Sequence, residues 1–301
     1  MNMIIEASRV VKKFGDFTAI REISLAVKKG EIVGFVGANG AGKTTTISML
    51  LGFISPSSGE VKLFGKAAHA SSLHKSHKKI GYAAGDMELP PRLTGRQYLS
   101  FVLSQNGGSH EGRHKELVKR FQPVLDRKIK QLSRGNKQKI ALIAAFVTEP
   151  ELVILDEPTS GLDPVMQEVF LDLVREEREK GTTVFMSSHY LNEVADVCSR
   201  VILMRSGKII EDVSSKELLT RSGKNVRVVT GYKTTRPPKD AEDTAIETVN
   251  AQTVITFIFK GDPGDLQRWL AGVKQLRDVE VTEYNLEGAF KSMYVDEEKT
   301  V

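Results

Sequence analysis

A glycine-rich loop between an apolar strand and a helix constrains this chain more than any other feature. Residues 37–44 read Gly-Ala-Asn-Gly-Ala-Gly-Lys-Thr and fit the pattern G-x-x-x-x-G-K-[ST]. An apolar run at 31–36 precedes the loop, and residues 45–51 continue it as a helix. The backbone N–H groups of such a loop and the positive end of its helix attract phosphate. The motif therefore predicts a binding loop for a nucleoside triphosphate.

The side chains of this loop are expected to bind different parts of the ligand. Lys43 is expected to reach the β- and γ-phosphates, and the hydroxyl of Thr44 to ligate Mg²⁺. The flanking strand and helix disfavour the alternative, a glycine turn beside a surface lysine. The predicted nucleotide-binding residues of the loop are Gly37, Ala38, Asn39, Gly40, Ala41, Gly42, Lys43, Thr44 and Thr45.

The composition limits the class of protein. The 301 residues, 40% of them hydrophobic, can form one large domain or two unequal ones with a buried core. A net charge of +5 permits contact with nucleic acid or lipid headgroups without requiring either. The single cysteine, Cys198, excludes an internal disulfide and is expected in the core. No run approaches the ~18 apolar residues of a membrane span, and charge at Glu6 comes too early for a signal peptide, so we expect a soluble, cytosolic chain.

Strand and helix patterns alternate over most of the chain. Helical periodicity dominates between about 85 and 146, and two apolar strands flank an amphipathic helix at 164–180. These patterns predict a first domain at 1–220, with a mostly parallel α/β sheet and a helical subdomain. Within the subdomain, helices are predicted at 94–104, 111–125 and 134–146. Residues 221–301 show alternating strands around one helix and are predicted to form a small α+β domain.

The stretch Leu152-Val-Ile-Leu-Asp-Glu-Pro158 is the second informative motif. Its four apolar residues predict a buried strand, so Asp156 and Glu157 emerge at the carboxyl end, where open α/β sheets bind ligands. Asp156 is expected to hold Mg²⁺ directly or through water, and Glu157 to polarise the attacking water. The phosphate loop makes the alternative, two solvated acids at a strand end, much the weaker interpretation.

The stretch Leu132-Ser-Arg-Gly-Asn-Lys-Gln138 predicts a helix with a serine cap at Ser133. The cap and the free N–H groups behind it suit a γ-phosphate. By itself the stretch indicates only a helix start, but it lies just before the Asp-Glu strand. The basic residues between 113 and 139 lack interleaved stacking aromatics, so a nucleic-acid partner is not expected.

Together these motifs resemble those of the nucleotide-binding subunit of ATP-binding cassette (ABC) transporters, over about residues 3–219. The loop at 37–44 is similar to the family's Walker A motif, and Leu152–Glu157 to its Walker B strand. Leu132–Asn136 resembles the signature sequence, in the form LSRGN rather than LSGGQ. The resemblance implies a P-loop NTPase fold, with ATP and Mg²⁺ as cofactors.

Three further elements follow the order of that family. Ser160–Asp163 resembles the D-loop, His189 the switch histidine, and Phe14 the aromatic residue that stacks on adenine. The resemblance implies catalytic roles for Glu157 and His189, with His189 bonding the γ-phosphate and the group that orients water.

The resemblance also implies a head-to-tail dimer, either of two copies or of this chain with a similar ATPase subunit. Two ATP molecules would be sandwiched, each facing Ser133, Arg134, Gly135 and Asp163 of the opposite subunit. Arg134 replaces the first glycine of the signature pair. It either contributes charge near the phosphates or contacts only solvent.

One position departs from the family pattern. The family usually places Gln or Glu after the Ile-Gly-Tyr strand, where it touches Mg²⁺ and water, and here Gly85 takes that place. Either Asp86 or water substitutes as a ligand, or hydrolysis is slower and coupled differently to the partner.

The leading hypothesis is an ATPase subunit, peripheral to the cytoplasmic face of the membrane, that powers a separate integral permease. The chain resembles subunits paired with ABC-2-type permeases, which export drugs, antibiotics, lipids or polysaccharides, and residues 285–290 resemble the closing motif of that group. Residues 86–105 would form part of the groove for the permease. One alternative is a soluble cassette ATPase acting on ribosomes or DNA. Another, motivated by Gly85, is a regulatory module that binds ATP but scarcely hydrolyses it.

Overall fold

The chain divides into two compact units, Met1–Val213 and Ser214–Val301. The computed structural model describes residues 2–68, 76–85, 88–106, 110–232, 236–249 and 252–283. The predicted division after residue 220 falls inside the second unit. Within the described ranges, no helix combines the length and the apolar character needed to cross a membrane.

The strands of the first unit form two sheets. They are β1 (Met3–Phe14), β2 (Phe17–Lys28), β3 (Ile32–Val36), β4 (Ser58–Leu63), β5 (Lys66–Ala67), β6 (Ile80–Ala84), β7 (Leu152–Asp156), β8 (Thr183–Ser188), β9 (Arg200–Arg205) and β10 (Lys208–Ser214). The larger sheet has the order β10-β9-β3-β8-β7-β6, with parallel pairing from β9 through β6. Every residue of β3, β7 and β8 is buried, as apolar runs in a parallel sheet predict.

The smaller sheet has the order β2-β1-β4-β5, and β1 pairs antiparallel with both β2 and β4. Strands β1 and β2 meet in a tight hairpin at the pair Phe14 and Phe17. Gly15 occupies the hairpin tip with a φ of 56°, a backbone conformation that glycine adopts without steric cost. The hairpin therefore carries Phe14 at its exposed end.

The helices of the first unit are α1 (Lys43–Leu50), α2 (Gly95–Asn106), α3 (Glu111–Phe121), α4 (Arg134–Phe146), α5 (Pro164–Glu179) and α6 (Leu191–Val197). Helices α2, α3 and α4 form the predicted helical subdomain. Helix α3 ends at Phe121 rather than at 125, because Gln122 turns into the left-handed region with a φ of 47° and Pro123 follows. Burial raises the pKa of the Cys198 thiol, as expected of a small core residue.

Two ion pairs join the helical subdomain to α5. The guanidinium of Arg113 donates to Glu177 at 2.6 Å, and both side chains are only 5% exposed. Arg120 donates to Glu176 at 2.7 Å, and this hydrogen bond lowers the pKa of the Glu176 carboxyl. The helix that begins with the D-loop is therefore fastened to the subdomain that carries the signature stretch.

Replacing Arg113 with alanine is expected to lower the free energy of unfolding by about 1.5–3 kcal/mol, the range for a hydrogen bond with a charged group. The buried Glu177 carboxylate loses Arg113 and keeps Lys180 and Thr182 as side-chain partners. Lys115→Ala is the matched control, since Lys115 and Glu111 form an ion pair with side chains 72% and 71% exposed. The control is expected to change stability by less than about 0.5 kcal/mol. Denaturant unfolding of both variants makes the comparison, and equal losses would contradict the role given to the Arg113 pair.

The second unit is a four-stranded sheet with a helix packed on it. Its elements are α7 (Ser215–Ser222), β11 (Lys224–Thr230), β12 (Ala241–Val249), β13 (Gln252–Phe259), α8 (Pro263–Gly272) and β14 (Leu276–Glu283). The order is β12-β13-β11-β14, with antiparallel pairing throughout. Leu266, Trp269 and Leu270 of α8 pack on the sheet, where Trp269 meets Phe257 edge to face. The predicted fold class, an α/β core with a helical subdomain and an α+β appendage, is confirmed. Residues 285–290 lie outside the described ranges.

Candidate functional site

The phosphate loop connects the end of β3 to the start of α1 and depends on its glycines. Gly40 and Gly42 have φ values of 81° and 109°, which side chains rarely adopt. A Cβ on Gly42 would lie 2.7 Å from Ile20 Cδ1, and one on Gly37 would lie 2.4 Å from the Met204 carbonyl oxygen. The loop can therefore follow this path only with glycine at these positions.

Lys43 is the buried charge of the loop. Its Nζ donates to the carbonyl oxygen of Gly37 at 2.6 Å and to that of Ala38 at 3.3 Å. The same nitrogen lies 3.2 Å from Glu157 Oε1, although the Lys43 side chain is only 6% exposed. The ammonium group thus joins the phosphate loop to the end of β7.

The other predicted loop residues differ in exposure. Ala38, Asn39, Gly40 and Thr44 are exposed, Thr45 is half-buried, and Ala41 is buried. Thr44 follows Lys43 in the first turn of α1, and its exposed hydroxyl is accessible to a ligand.

Asp156 ends β7 and lies 5% exposed beneath the site. The hydroxyl of Ser187, which pairs with Asp156 across β7 and β8, donates to Asp156 Oδ1. The backbone N–H of Glu157 donates to the same hydroxyl oxygen at 3.0 Å. Ser187 was not predicted to take part in the site, because its place follows from the register of β7 against β8. It fixes both acids at the sheet edge.

Glu157 and His189 face each other at that edge. His189 Nδ1 lies 2.6 Å from Glu157 Oε2, and the ring centroids of Tyr190 and His189 are 3.9 Å apart. Glu157 has a left-handed φ of 51°, a strained conformation for a non-glycine residue that is typical of functional sites. The structure therefore brings the two predicted catalytic residues into direct contact.

The oxygen donors at this edge fit a magnesium ion. Mg²⁺ prefers carboxylate and hydroxyl oxygens and is usually held in proteins by one or two such groups together with substrate phosphates. The carboxylate of Asp156 and the hydroxyl of Thr44 are oxygen donors, and their binding of Mg²⁺ stays a prediction. Asp86, the alternative ligand, lies outside the described residues.

Gly85 passes directly behind the catalytic edge. Its N–H donates to the carbonyl oxygen of Asp156 at 2.7 Å. A Cβ on Gly85 would lie 2.8 Å from the Glu157 carbonyl oxygen and 3.0 Å from Ser160 Cβ. In this arrangement the position has no room for the longer residue that the family usually has there.

The signature stretch and the D-loop begin two neighbouring helices. Ser133 caps α4 and accepts from the Asn136 backbone N–H at 3.3 Å, so the predicted serine cap is confirmed. Asp163 caps α5 in the same way through Met166. Ser133, Arg134 and Asp163 are exposed. Their approach to a partner's nucleotide stays a prediction.

Known proteins of one family are similar to this chain. A family model described as ABC transporter matches residues 20–160. The chain is 37% identical over 212 residues to the probable multidrug ABC transporter ATP-binding protein YbhF of Escherichia coli (strain K12), covering 69% of this chain but 36% of YbhF. It is 35% identical over 222 residues to the bacitracin transport ATP-binding protein BcrA of Enterococcus faecalis, covering 70% of this chain and 69% of BcrA.

Solved structures show the same fold. The dimeric structure of a post-hydrolysis state of the ATP-binding cassette MJ0796, bound to ADP and Pi, is similar to this chain with a TM-score of 0.65 and 25% identity. The similarity covers 70% of this chain and 98% of the other.

Proposed function

This chain belongs to the ABC transporter family as an ATP-binding protein, and we propose that it hydrolyses ATP to power a separate membrane permease. The observation that carries the proposal is the convergence of Lys43, Glu157 and His189 at one sheet edge. Lys43 Nζ and Glu157 Oε1 are 3.2 Å apart, and Glu157 Oε2 and His189 Nδ1 are 2.6 Å apart. Phosphoryl transfer to water needs a positive charge that binds phosphate, a carboxylate that orients water and a group that holds the carboxylate.

Each of these residues has a proposed role in hydrolysis. Glu157 orients and polarises the attacking water, and His189 holds its carboxylate and reaches the γ-phosphate. Lys43 moves from its carbonyl partners to the phosphates, where its charge offsets the charge of the transferring group. Asp156 and Thr44 hold Mg²⁺, which neutralises phosphate oxygens when bound. The contact of Glu157 with His189 favours this function over a module that binds ATP without hydrolysis.

Phe14 is proposed to stack on the adenine ring. It stands at the hairpin tip, where its side chain is 50% exposed and Lys12 Nζ lies 4.9 Å from the ring centroid. The Lys12 amine also donates to the Ser55 carbonyl oxygen at 2.8 Å, so the ring is held from one side. Its other face is proposed to receive the base.

Phe14→Ala is expected to weaken ATP binding by about 1–3 kcal/mol, the usual value of one aromatic ring stacked on a base. Phe17→Ala is the matched control, since Phe17 sits opposite Phe14 in the same hairpin and is 67% exposed. Equilibrium titration with ATP in the absence of hydrolysis measures both. The same weakening in both variants would argue against a specific stack.

We propose that the active form is a head-to-tail dimer, with Ser133, Arg134, Gly135 and Asp163 of one subunit facing the other's ATP. The exposure of Ser133, Arg134 and Asp163 at two helix starts supports this, because helix N-termini and capping residues bind anions. The dimeric state of the similar cassette MJ0796 also supports it.

The proposed permease site is a groove in the helical subdomain. A cavity of about 460 Å³ is lined by residues that include Glu88, Leu89, Pro91, Ile129, Lys130 and Ala141. Its mixed lining suits a helix from a partner chain. The names of BcrA and YbhF, a bacitracin transport protein and a probable multidrug transporter protein, support transport of such compounds, which we propose to be export. The chain would then work at the cytoplasmic face of the membrane.

Two measurements test this function. The purified chain is expected to release phosphate from ATP only with Mg²⁺ present, and to co-purify with a multi-spanning protein from solubilised membranes of its own cells. Turnover that is absent with and without that protein would refute the ATPase. Turnover stimulated by RNA or DNA, with no membrane association, would instead support action on ribosomes or DNA.

A further inference from the structure

Three segments that are distant in the sequence meet behind the catalytic edge: Gly85, the D-loop and the first turn of α4. The Ser160 N–H donates to the Glu157 carbonyl oxygen at 3.1 Å, so the D-loop folds back towards the catalytic acid. A Cβ on Gly85 would lie 3.0 Å from Ser160 Cβ. The absence of a side chain at Gly85 is what lets Ser160 lie so close.

Arg134 holds the other side of the D-loop. Its guanidinium Nη2 donates to Ser160 Oγ at 2.8 Å. The stem of its side chain lies along the next residue, since a Cβ on Gly161 would be 3.0 Å from Arg134 Cγ and 3.2 Å from Cδ. Arg134 therefore touches two consecutive D-loop residues of its own chain.

The backbone of α4 also packs against the D-loop. A Cβ on Gly135 would lie 2.6 Å from the Gly161 carbonyl oxygen. One turn further along, the buried Gln138 donates through Nε2 to the Pro158 carbonyl oxygen at 2.8 Å. The base of the D-loop is thus tied to α4 by a buried hydrogen bond, and its exposed tip by Arg134.

We propose that Arg134 is a positioning residue for ATP hydrolysis, which fixes the D-loop against the signature helix within one chain. The inference rests on the proposed function, in which both segments serve the ATP held by the opposite subunit. A glycine at this position has no side chain to reach Ser160, so the D-loop tip would be held only by backbone packing. Because Arg134 links the two segments, Ser133 and Asp163 approach the partner subunit together. Arg134 acts through Ser160 and need not touch the nucleotide.

This arrangement gives a specific kinetic expectation. The phosphate loop and Lys43 bind ATP within one chain, and Arg134 of the opposite subunit faces that ATP only after the subunits close, so losing Arg134 should leave the nucleotide affinity of the single chain unchanged. Alignment of the D-loop with the signature helix matters only once the two subunits close. The loss of Arg134 should therefore lower kcat and leave the Kd for ATP unchanged.

A double-mutant cycle tests the proposal. Arg134→Ala and Ser160→Ala are each expected to lower kcat by roughly tenfold, and the double variant to be no slower than either single one, because both changes remove the same contact. The Kd for a fluorescent ATP analogue should stay within twofold of the starting protein. Lys139→Ala is the matched control: it removes a positive charge further along α4 and should leave kcat unchanged. Thermal unfolding of each variant checks the fold.

The possible outcomes distinguish a failure of the positioning role of Arg134 from a failure of the proposed ATPase function. Multiplicative losses in the double variant, an unchanged kcat in Arg134→Ala, or an equal fall in Lys139→Ala would overturn the positioning role while leaving the ATPase intact. A starting protein that hydrolyses no ATP would refute the proposed function, and this inference with it. Should Arg134→Ala unfold, Ser160→Ala is compared with Ser160→Thr, which keeps the hydroxyl and is expected to retain turnover. Equal turnover of those two would also contradict the role.

Discussion

Glu157→Gln is expected to lower kcat for ATP hydrolysis by about 10²–10⁴-fold, the usual contribution of a positioned general base. The amide has the shape of the carboxylate and can still contact His189, but it cannot accept a proton from water. It also removes the negative charge 3.2 Å from Lys43 Nζ, so ATP binding should not weaken. A steady-state phosphate-release assay, together with an ATP titration, separates the two effects.

Glu151→Gln is the control for this change. Glu151 directly precedes β7, whereas Glu157 directly follows it, so the same substitution is made at opposite ends of one strand. The Lys79 amine donates to Glu151 at 2.6 Å and lowers the pKa of that carboxyl. Because this ion pair is at the surface, its loss should change stability by less than about 1 kcal/mol and leave kcat unaltered. A Glu157→Gln variant that turns over as fast as the control would remove Glu157 from the mechanism.

Lys43→Met is expected to weaken ATP binding by about 1.5–3 kcal/mol, the range for a hydrogen bond with a charged group. It should also lower kcat by at least roughly a hundredfold, because a fixed charge at the transferring phosphoryl group is lost. Methionine has a similar length and fills the buried space, so the fold should be kept. Binding and turnover are measured in the same assays as for Glu157.

Lys66→Met provides the comparison, since Lys66 is an exposed lysine on β5. It is expected to bind and hydrolyse ATP as the unchanged chain does. If Lys43→Met retained full affinity, the phosphate loop would not hold its ligand through this amine.

Local patterns were sufficient to predict the centre of the site. The apolar run of β7 predicts both a buried strand and the emergence of Asp156 and Glu157 at its end, and every residue of β7 is buried. The serine cap of α4 and the glycine loop before α1 also depend on neighbouring residues alone. Such features follow from short-range sterics and hydrogen bonding, which a sequence states directly.

Contacts that depend on register or long-range packing were not predictable in this way. Ser187 reaches Asp156 only because β7 and β8 pair with those two residues opposite each other. Arg134 reaches Ser160 only because the first turn of α4 packs on the D-loop. The sequence left two alternatives for Arg134, phosphate or solvent, and neither included this contact.

The departure at Gly85 also became interpretable through packing. The sequence showed only that a ligand was missing from the usual position. The structure adds that the backbone there lies against Glu157 and Ser160, with no space for a side chain. In the second unit, the residues of β12 are almost all exposed and lack the alternation of a half-buried strand, so the sequence pattern does not predict this strand.

The proposed mechanism requires that ATP is held between two copies of the cassette. Light scattering on the Glu157→Gln variant, in which bound ATP should persist, measures this pairing. We expect twice the 33.3 kDa mass of one chain with ATP and Mg²⁺, and the mass of a single chain without nucleotide. A variant that binds ATP at full occupancy and stays a single chain at every protein concentration would contradict it.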